Sequence, residues 1–312
     1  MRLLDIIGHQ KNIKQIINAI ENNKFAHAHL IVGEDGIGKS LIAKGMALKI
    51  LGIDEFRDHV DIIEWRIGNN KSSIGIDDIR TLSQEVNKKP YETNKKVIIV
   101  YNSELMTVQA QNAFLKTIEE PPMGVFIILL CDNIESILDT IKSRTQIHSL
   151  KVLSTEEIKK FIDREYPNID NITKYVLVAF SNGIPGRIKM YIEDDDFNII
   201  RDKMLSILKD KNEENNLLIY NNYFVGLNEK WKESFECILS YIRDMIILKE
   251  SNVKELVINI DKINELEELS NMFSFNKLND IISIIDETRQ NLEKNLNKSL
   301  SFEVMLLKIQ EV

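Results

Sequence analysis

The sequence predicts an α/β fold, an open parallel sheet with helices on both faces, followed by an all-helical tail. Three observations predict it. Apolar runs rich in β-branched residues alternate with helical patterns through the first half of the chain. A glycine-rich turn, Gly33-Glu34-Asp35-Gly36-Ile37-Gly38-Lys39-Ser40, stands between one such run and a helix. Past about residue 150 no strand pattern is convincing, while apolar residues recur at helical spacing. These divide the chain into a phosphate-loop domain at 1–150, a helical lid at 151–200 and a helical domain at 201–312.

The elements follow in order. Ile13, Ile16, Ile17 and Ile20 recur as one face of an amphipathic helix. His27 and His29 flank Ala28 ahead of the strand Leu30-Ile31-Val32; with no third ligand near them, a metal site is not expected. A helix from Leu41 to Leu51 follows the glycine turn, and His59-Val60-Asp61-Ile62-Ile63 reads as a second strand. Asp77 is expected to cap a helix running through Val86. Val97-Ile98-Ile99-Val100 has the continuous apolar character of a strand buried on both faces. A helix from Thr107 to Glu119 is expected to bury Ala110, Ala113, Phe114 and Ile118 until Pro121-Pro122 stops it. Val125 to Leu130 makes another buried strand, Ile141 to Arg144 closes a short helix, and Gln146-Ile147-His148 ends the sheet. Ser154 and Glu157 form a capping box for a helix through Glu165. Ile172 to Phe180 forms another, and Gly183-Ile184-Pro185-Gly186-Arg187 turns the chain into a third. The tail carries three stripes: Trp231, Phe235, Ile238, Leu239, Ile242 and Ile246; Ile281, Ile284, Ile285, Thr288 and Leu292; Phe302, Met305, Leu306 and Ile309. Each reads first as bundle core, with a subunit interface as the alternative.

Bulk properties exclude several classes. The 40 Lys and Arg against 48 Asp and Glu leave a net charge of −8. Binding DNA without regard to sequence rests on neutralising phosphates, which the whole chain is not built to do alone; a local basic face stays open. Cys131 and Cys237, the two cysteines, have no paired spacing, which fits a reducing cytoplasm and excludes a cysteine-based zinc site. The longest apolar runs are too short to cross a bilayer. Asp5, Gly8 and His9 interrupt any signal-peptide layout at the start. A cytoplasmic protein without membrane contact is expected.

Gly33, Gly38, Lys39 and Ser40 match the phosphate-loop spacing, a Gly, four residues, then Gly-Lys-Ser. Glycines at 33, 36 and 38 allow positive φ and let backbone N–H groups turn toward phosphate oxygens. The helix that follows presents its free N–H groups and positive dipole end to the same anion. Lys39 would reach the outer phosphates and Ser40 would ligate Mg²⁺, so ATP or ADP is the expected ligand. Hydrolysis needs a further acid, an Asp at the end of a buried strand that helps hold Mg²⁺. The strand is Val97 to Val100, yet Tyr101 and Asn102 follow it, and Glu104 lies two residues past that corner. The phosphate loop is intact while the hydrolytic half is missing, so Mg²⁺ binding is expected to be weak or absent.

Gly8-His9-Gln10, Ala26-His27-Ala28-His29-Leu30, the phosphate loop, the block Gln111-Asn112-Ala113-Phe114-Leu115-Lys116-Thr117-Ile118-Glu119-Glu120-Pro121-Pro122, and Ser143-Arg144 together resemble the bacterial clamp-loader subunits of DNA polymerase III, an AAA+ family. The resemblance covers residues 8 to about 190; the tail agrees in character only. Of the two branches, the gamma/tau motor keeps an Asp-Glu pair and four zinc-binding cysteines, whereas delta-prime is often degenerate in its own ATP site. Tyr101-Asn102 and the cysteine-free stretch from Leu51 to Asp61 resemble the delta-prime branch. The resemblance implies a five-subunit ring with gamma/tau and delta subunits that loads a sliding clamp on primed DNA. The chain would then be an accessory subunit of a DNA-directed DNA polymerase, with the tail carrying the ring contact. It further implies that Arg144 is an arginine finger for a neighbour's ATP site, the alternative being a surface arginine capping a helix. Arg187 matches the lid's nucleotide sensor, and Cys131-Asp132-Asn133 stands where the first sensor is expected. A working motor ATPase with Glu104 or Asp132 as its acid is the competing reading, and a small-molecule kinase a distant third.

Overall fold

The computed structural model describes residues 2–68, 71–193, 196–210, 214–228, 230–251, 253–294 and 296–312. In chain order its elements are α1 (Gln10–Glu21), β1 (Ala28–Val32), α2 (Lys39–Ile50), β2 (Ile62–Trp65), α3 (Ile76–Val86), β3 (Lys96–Val100), α4 (Val108–Glu119), β4 (Val125–Cys131), α5 (Asp139–Lys142), β5 (Gln146–Ser149), α6 (Thr155–Glu165), α7 (Asn171–Phe180) and α8 (Pro185–Glu193). Then come α9 (Asp196–Lys209), α10 (Glu214–Gly226), α11 (Trp231–Glu250), α12 (Ile263–Met272), α13 (Phe275–Glu293) and α14 (Lys298–Glu311). They group into two compact units, Met1–Pro167 with Ser181–Arg187, and Asn168–Phe180 with Ile188–Val312. The segment 151–200 is thereby shared: α6 and the turn into α8 belong to the first unit, α7 and the chain from Ile188 to the second.

Among the described residues the strands of the first unit form one five-stranded parallel sheet, ordered β2-β3-β4-β1-β5. The expected α/β class is what the chain adopts. β3 is buried along its whole length, and β4 at every residue but Phe126, because helices cover both faces. Ile79, Leu82, Val86, Ala110, Phe114 and Ile118 of α3 and α4 close over Ile98, Val100, Ile127 and Leu129.

Three local expectations need correction. β2 begins at Ile62, not His59, because the buried Asp61 carboxylate is taken by a turn, accepting from the N–H groups of Tyr91, Glu92 and Thr93 at 2.5, 3.1 and 2.8 Å. The N-cap of α3 is Gly75 rather than Asp77, and Asp78 closes it by accepting from the Gly75 N–H at 2.9 Å. Ala113 is exposed on α4. Gln111 takes the inward position, its amide donating to the Met106 and Ser136 carbonyls at 3.1 and 2.8 Å and accepting from the Leu138 N–H at 2.8 Å.

Among its described residues the second unit is built of helices joined by short irregular segments and has no strand, as the tail pattern requires. Phe224, Phe235 and Phe302 are fully buried, and the rings of Phe224 and Phe302 stack at 5.0 Å. On α11 the buried face includes Tyr241 and Met245, while Leu239 and Ile246 of the expected stripe are half-buried. A polar network lies inside this unit. Asp244, wholly buried, accepts from the N–H groups of Ile258 and Asn259 at 3.0 and 2.7 Å and from the Asn259 amide at 2.8 Å. Arg201 donates through both terminal nitrogens to Asp261 at 2.8 and 2.7 Å, and reaches Asn259 at 3.2 Å. No described helix is long and apolar enough to cross a membrane.

Candidate nucleotide site

The sheet register builds the site. Val32 at the end of β1 pairs with Cys131 at the end of β4, and the Gly33 N–H extends the ladder to the Cys131 carbonyl at 3.2 Å. The glycine turn therefore leaves the carboxyl edge of the sheet beside Asp132, the residue after β4. Trp65 pairs with Val100, and the Tyr101 N–H donates to the Trp65 carbonyl at 3.0 Å, which brings Arg66 beside Tyr101. Ser103 pins the corner after β3 through its hydroxyl, which donates to the Leu130 carbonyl at 2.6 Å. The expected placement at the carboxyl ends of parallel strands follows.

Gly36, Gly38, Lys39 and Ser40 meet around a cavity of about 270 Å³ that is also lined by Asp35, Arg66, Tyr101, Asn102 and Asp132. Gly38 has φ 108° and is the N-cap of α2, with open space where a Cβ would stand. Gly36 is held for another reason: its carbonyl accepts from the Gly186 N–H at 2.9 Å, and a Cβ on Gly186 would lie 2.5 Å from the Gly36 Cα. Gly33 is packed against Leu150 and Ile37 and starts the turn without lining the cavity.

Lys39 is only 8% exposed, and its ammonium is saturated. It donates to the carbonyls of Gly33 and Glu34 at 2.8 and 2.9 Å and forms an ion pair with Asp132 at 2.6 Å. Glu104 braces this arrangement, accepting from the Asp132 N–H and the Asn102 amide, each at 3.3 Å.

Where an acid would stand after β3, Tyr101 donates its hydroxyl to Glu64 at 2.8 Å while the Arg66 guanidinium lies 3.4 Å from the centre of its ring. Burial and the Glu64 carboxylate push the Tyr101 phenol up to about 12, so it stays a neutral donor. Burial also works against ionising Glu64, but hydrogen bonds from Tyr101 and Arg66 and the Lys44 charge outweigh it and hold that carboxyl below its ordinary value. A phosphate fits the glycine cradle and the first turn of α2. A strand-end Mg²⁺ site does not fit these residues: Tyr101 and Asn102 offer no carboxylate, Asp132 is paired with Lys39, and Glu104 is hydrogen-bonded at the rim. Among the described residues no three His, Cys, Asp or Glu side chains converge as metal ligands.

The remaining expected residues stand apart from the cavity. Arg187, in the first turn of α8, reaches Glu34 of the glycine turn at 3.8 Å. Arg144 follows α5 at the surface, where it pairs with Glu119 and donates to the Thr140 carbonyl at 3.0 Å and the Ser143 hydroxyl at 3.2 Å. Glu64 and Arg66 were not legible as site residues, since only the pairing of β2 with β3 brings them to Tyr101.

Comparison with known proteins shows which family the chain is similar to. A family model described as DNA polymerase III, delta subunit, matches residues 8–154, and one described as DNA polymerase III, delta subunit, C terminal, matches residues 196–311. The chain is 26% identical to DNA polymerase III subunit tau of Bacillus subtilis, covering 99% of this chain and 61% of that protein. It is 23% identical to subunit delta' of the same organism over 96% of this chain and 95% of that one. With subunit delta' of Haemophilus influenzae it shares 30% identity over 46% and 48% of the two chains.

Proposed function

This chain belongs to the DNA polymerase III delta-subunit family, as a clamp-loader member of delta-prime type, and from that premise we propose that it completes a loader ring without serving as its motor. Its partners would be gamma/tau-type motor subunits and a delta subunit, and through the complex a sliding clamp and primed DNA. The tail from residue 201 would carry the ring contact, residues 151–200 would act as the lid, and Arg187 would sense nucleotide from the lid side. Arg144 would reach into a neighbour's ATP site as an arginine finger. Its exposure and its place after a short helix support that role, though its bond to the Thr140 carbonyl equally serves the helix end.

One observation carries the non-motor reading: the glycine cradle is complete while Tyr101, locked between Glu64 and Arg66, fills the place of the strand-end acid. The cradle would hold ADP or ATP through Gly33–Ser40, with little hydrolysis. Turnover of the isolated chain should be far below that of a reconstituted loader. Motor-like turnover by the pure chain, lost in Lys39→Ala, would overturn this reading. It would favour the alternative, for which the nearness of Asp132 and Glu104 to the cavity speaks, that one of them serves as the acid.

A further inference from the structure

Lys39 is the residue by which a phosphate loop normally meets the outer phosphates, and here its charge is already answered. An ammonium has three donors, and Lys39 spends them on Gly33, Glu34 and Asp132. The charges lining the cavity are the cations Lys39 and Arg66 and the anions Asp35 and Asp132, two against two. Arg66 is further engaged by Glu64 at 3.4 Å and by the Tyr101 ring, and Glu104 adds a carboxylate behind Asp132. A cavity meant for a polyphosphate thus carries no net positive charge from its side chains. What remains attractive is the backbone cradle and the dipole end of α2, which act on the phosphate nearest the loop.

We infer that Asp132 sets the ligand class of this site: by neutralising Lys39 it disfavours the terminal phosphate of a triphosphate, so the site takes a nucleoside diphosphate in preference. The inference rests on the nucleotide-binding reading of the loop given above. Each added phosphate brings negative charge, and past the cradle the third would meet a carboxylate where a free lysine ordinarily waits. In a pocket of reduced dielectric one unit charge a few ångströms away changes affinity by about tenfold or more. The strand-end acid that would recruit Mg²⁺ to offset this is replaced by Tyr101, whose hydroxyl is given to Glu64.

The test is equilibrium binding of fluorescent ADP and ATP to the full chain, with Mg²⁺ and with chelator, for the native protein, Asp132→Asn and Asp132→Ala. The native protein should bind ADP severalfold tighter than ATP. Both variants should bind ATP about tenfold tighter than the native chain does, with a smaller gain for ADP, so that the preference narrows or reverses. Thermal melting of each variant reports that it is folded, and either substitution alone suffices if the other is not. Equal affinity of the native chain for the two nucleotides, or no gain for ATP in the folded variants, would overturn the inference while leaving the nucleotide site intact. A loss of ATP affinity in the variants only when Mg²⁺ is present would overturn it too, by making Asp132 a metal ligand. No binding of either nucleotide to any of the three proteins would instead sink the nucleotide-site reading, and this inference with it.

Discussion

Arg144 is tied to Glu119: its Nε donates to the Glu119 carboxylate, while the same guanidinium caps the end of α5 through the Thr140 carbonyl at 3.0 Å. The side chains are 41% and 42% exposed, so the pair belongs to the class whose contribution to stability is about 0–1 kcal/mol. A guanidinium held this weakly can be given up to a stronger anion.

Arg144→Ala should therefore shift the melting midpoint little and leave assembly intact. At a neighbouring ATP site in a reconstituted loader, the same change should cost ~10³–10⁵ in rate, since the guanidinium would offset charge on the transferring phosphoryl group. Lysine should not rescue it, because the planar two-donor fork is lost. Clamp-stimulated ATPase and clamp loading measure this. Native loading by an intact Arg144→Ala complex would reduce Arg144 to a helix cap.

Acid should destabilise the first unit through His29. Its Nε2 donates to the Ala26 carbonyl at 2.8 Å, so its Nδ1 accepts from Nε2 of His148 at 3.0 Å, and both rings stay neutral. Burial, reinforced by the nearby His148 and His27, outweighs the Ala26 bond and brings His29 down to about 3, and burial lowers His148 as well. Between the unfolded value near 6.5 and about 3, the unfolded chain binds a proton that the native one refuses. Stability is then full above pH 6.5 and falls as the pH drops through that window. From His29 alone the loss between pH 7 and pH 5 should be about 2 kcal/mol. Denaturant midpoints across pH read it, and His29→Gln should flatten the slope.

Asp244→Ala should destabilise the second unit by ~3–5 kcal/mol, because it strands the N–H groups of Ile258 and Asn259 and the Asn259 amide inside the bundle. Fluorescence of Trp231, buried in the same unit, follows the transition. A change below about 1 kcal/mol would mean that water or a shifted loop satisfies those donors.

Gly186→Ala should lower both stability and nucleotide affinity. Its new Cβ would stand 2.5 Å from the Gly36 Cα and 2.9 Å from the Gly36 oxygen, so the glycine turn itself must move. A cost of ~1–3 kcal/mol is expected, as for other overpacked sites. Unchanged melting together with unchanged nucleotide binding would show that the two segments part easily.

Much of the sheet was legible because buried parallel strands announce themselves. Val97–Val100 and Val125–Leu130 are apolar without interruption, and the glycine spacing located the turn between β1 and α2. Errors came where a polar side chain works inside the fold. Asp61 sits in an apolar run that reads as strand yet binds a turn, and Gln111 holds the inner face of α4 where periodicity favours Ala113. At the site, Gly38, Lys39 and Ser40 could be named from spacing, Gly36 only as a glycine of the same turn, and Tyr101 from its place after β3. The pairing of Lys39 with Asp132, and of Tyr101 with Glu64 and Arg66, depends on which strands lie side by side. That order, β2-β3-β4-β1-β5, is a property of the folded sheet and not of any window of sequence.

The close approach of Gly36 and Gly186 bears on how this chain can drift over generations. Two backbones that touch without side chains act as a lock on heredity: neither glycine can be exchanged unless the other segment retreats first. Gly36 would therefore persist in a lineage that had abandoned nucleotide altogether, kept by its neighbour and not by a ligand. Descendants that lose the site should show it first at Lys39 and Ser40, later at Gly38, whose φ of 108° strains any side chain despite the open space around it, and last at Gly36.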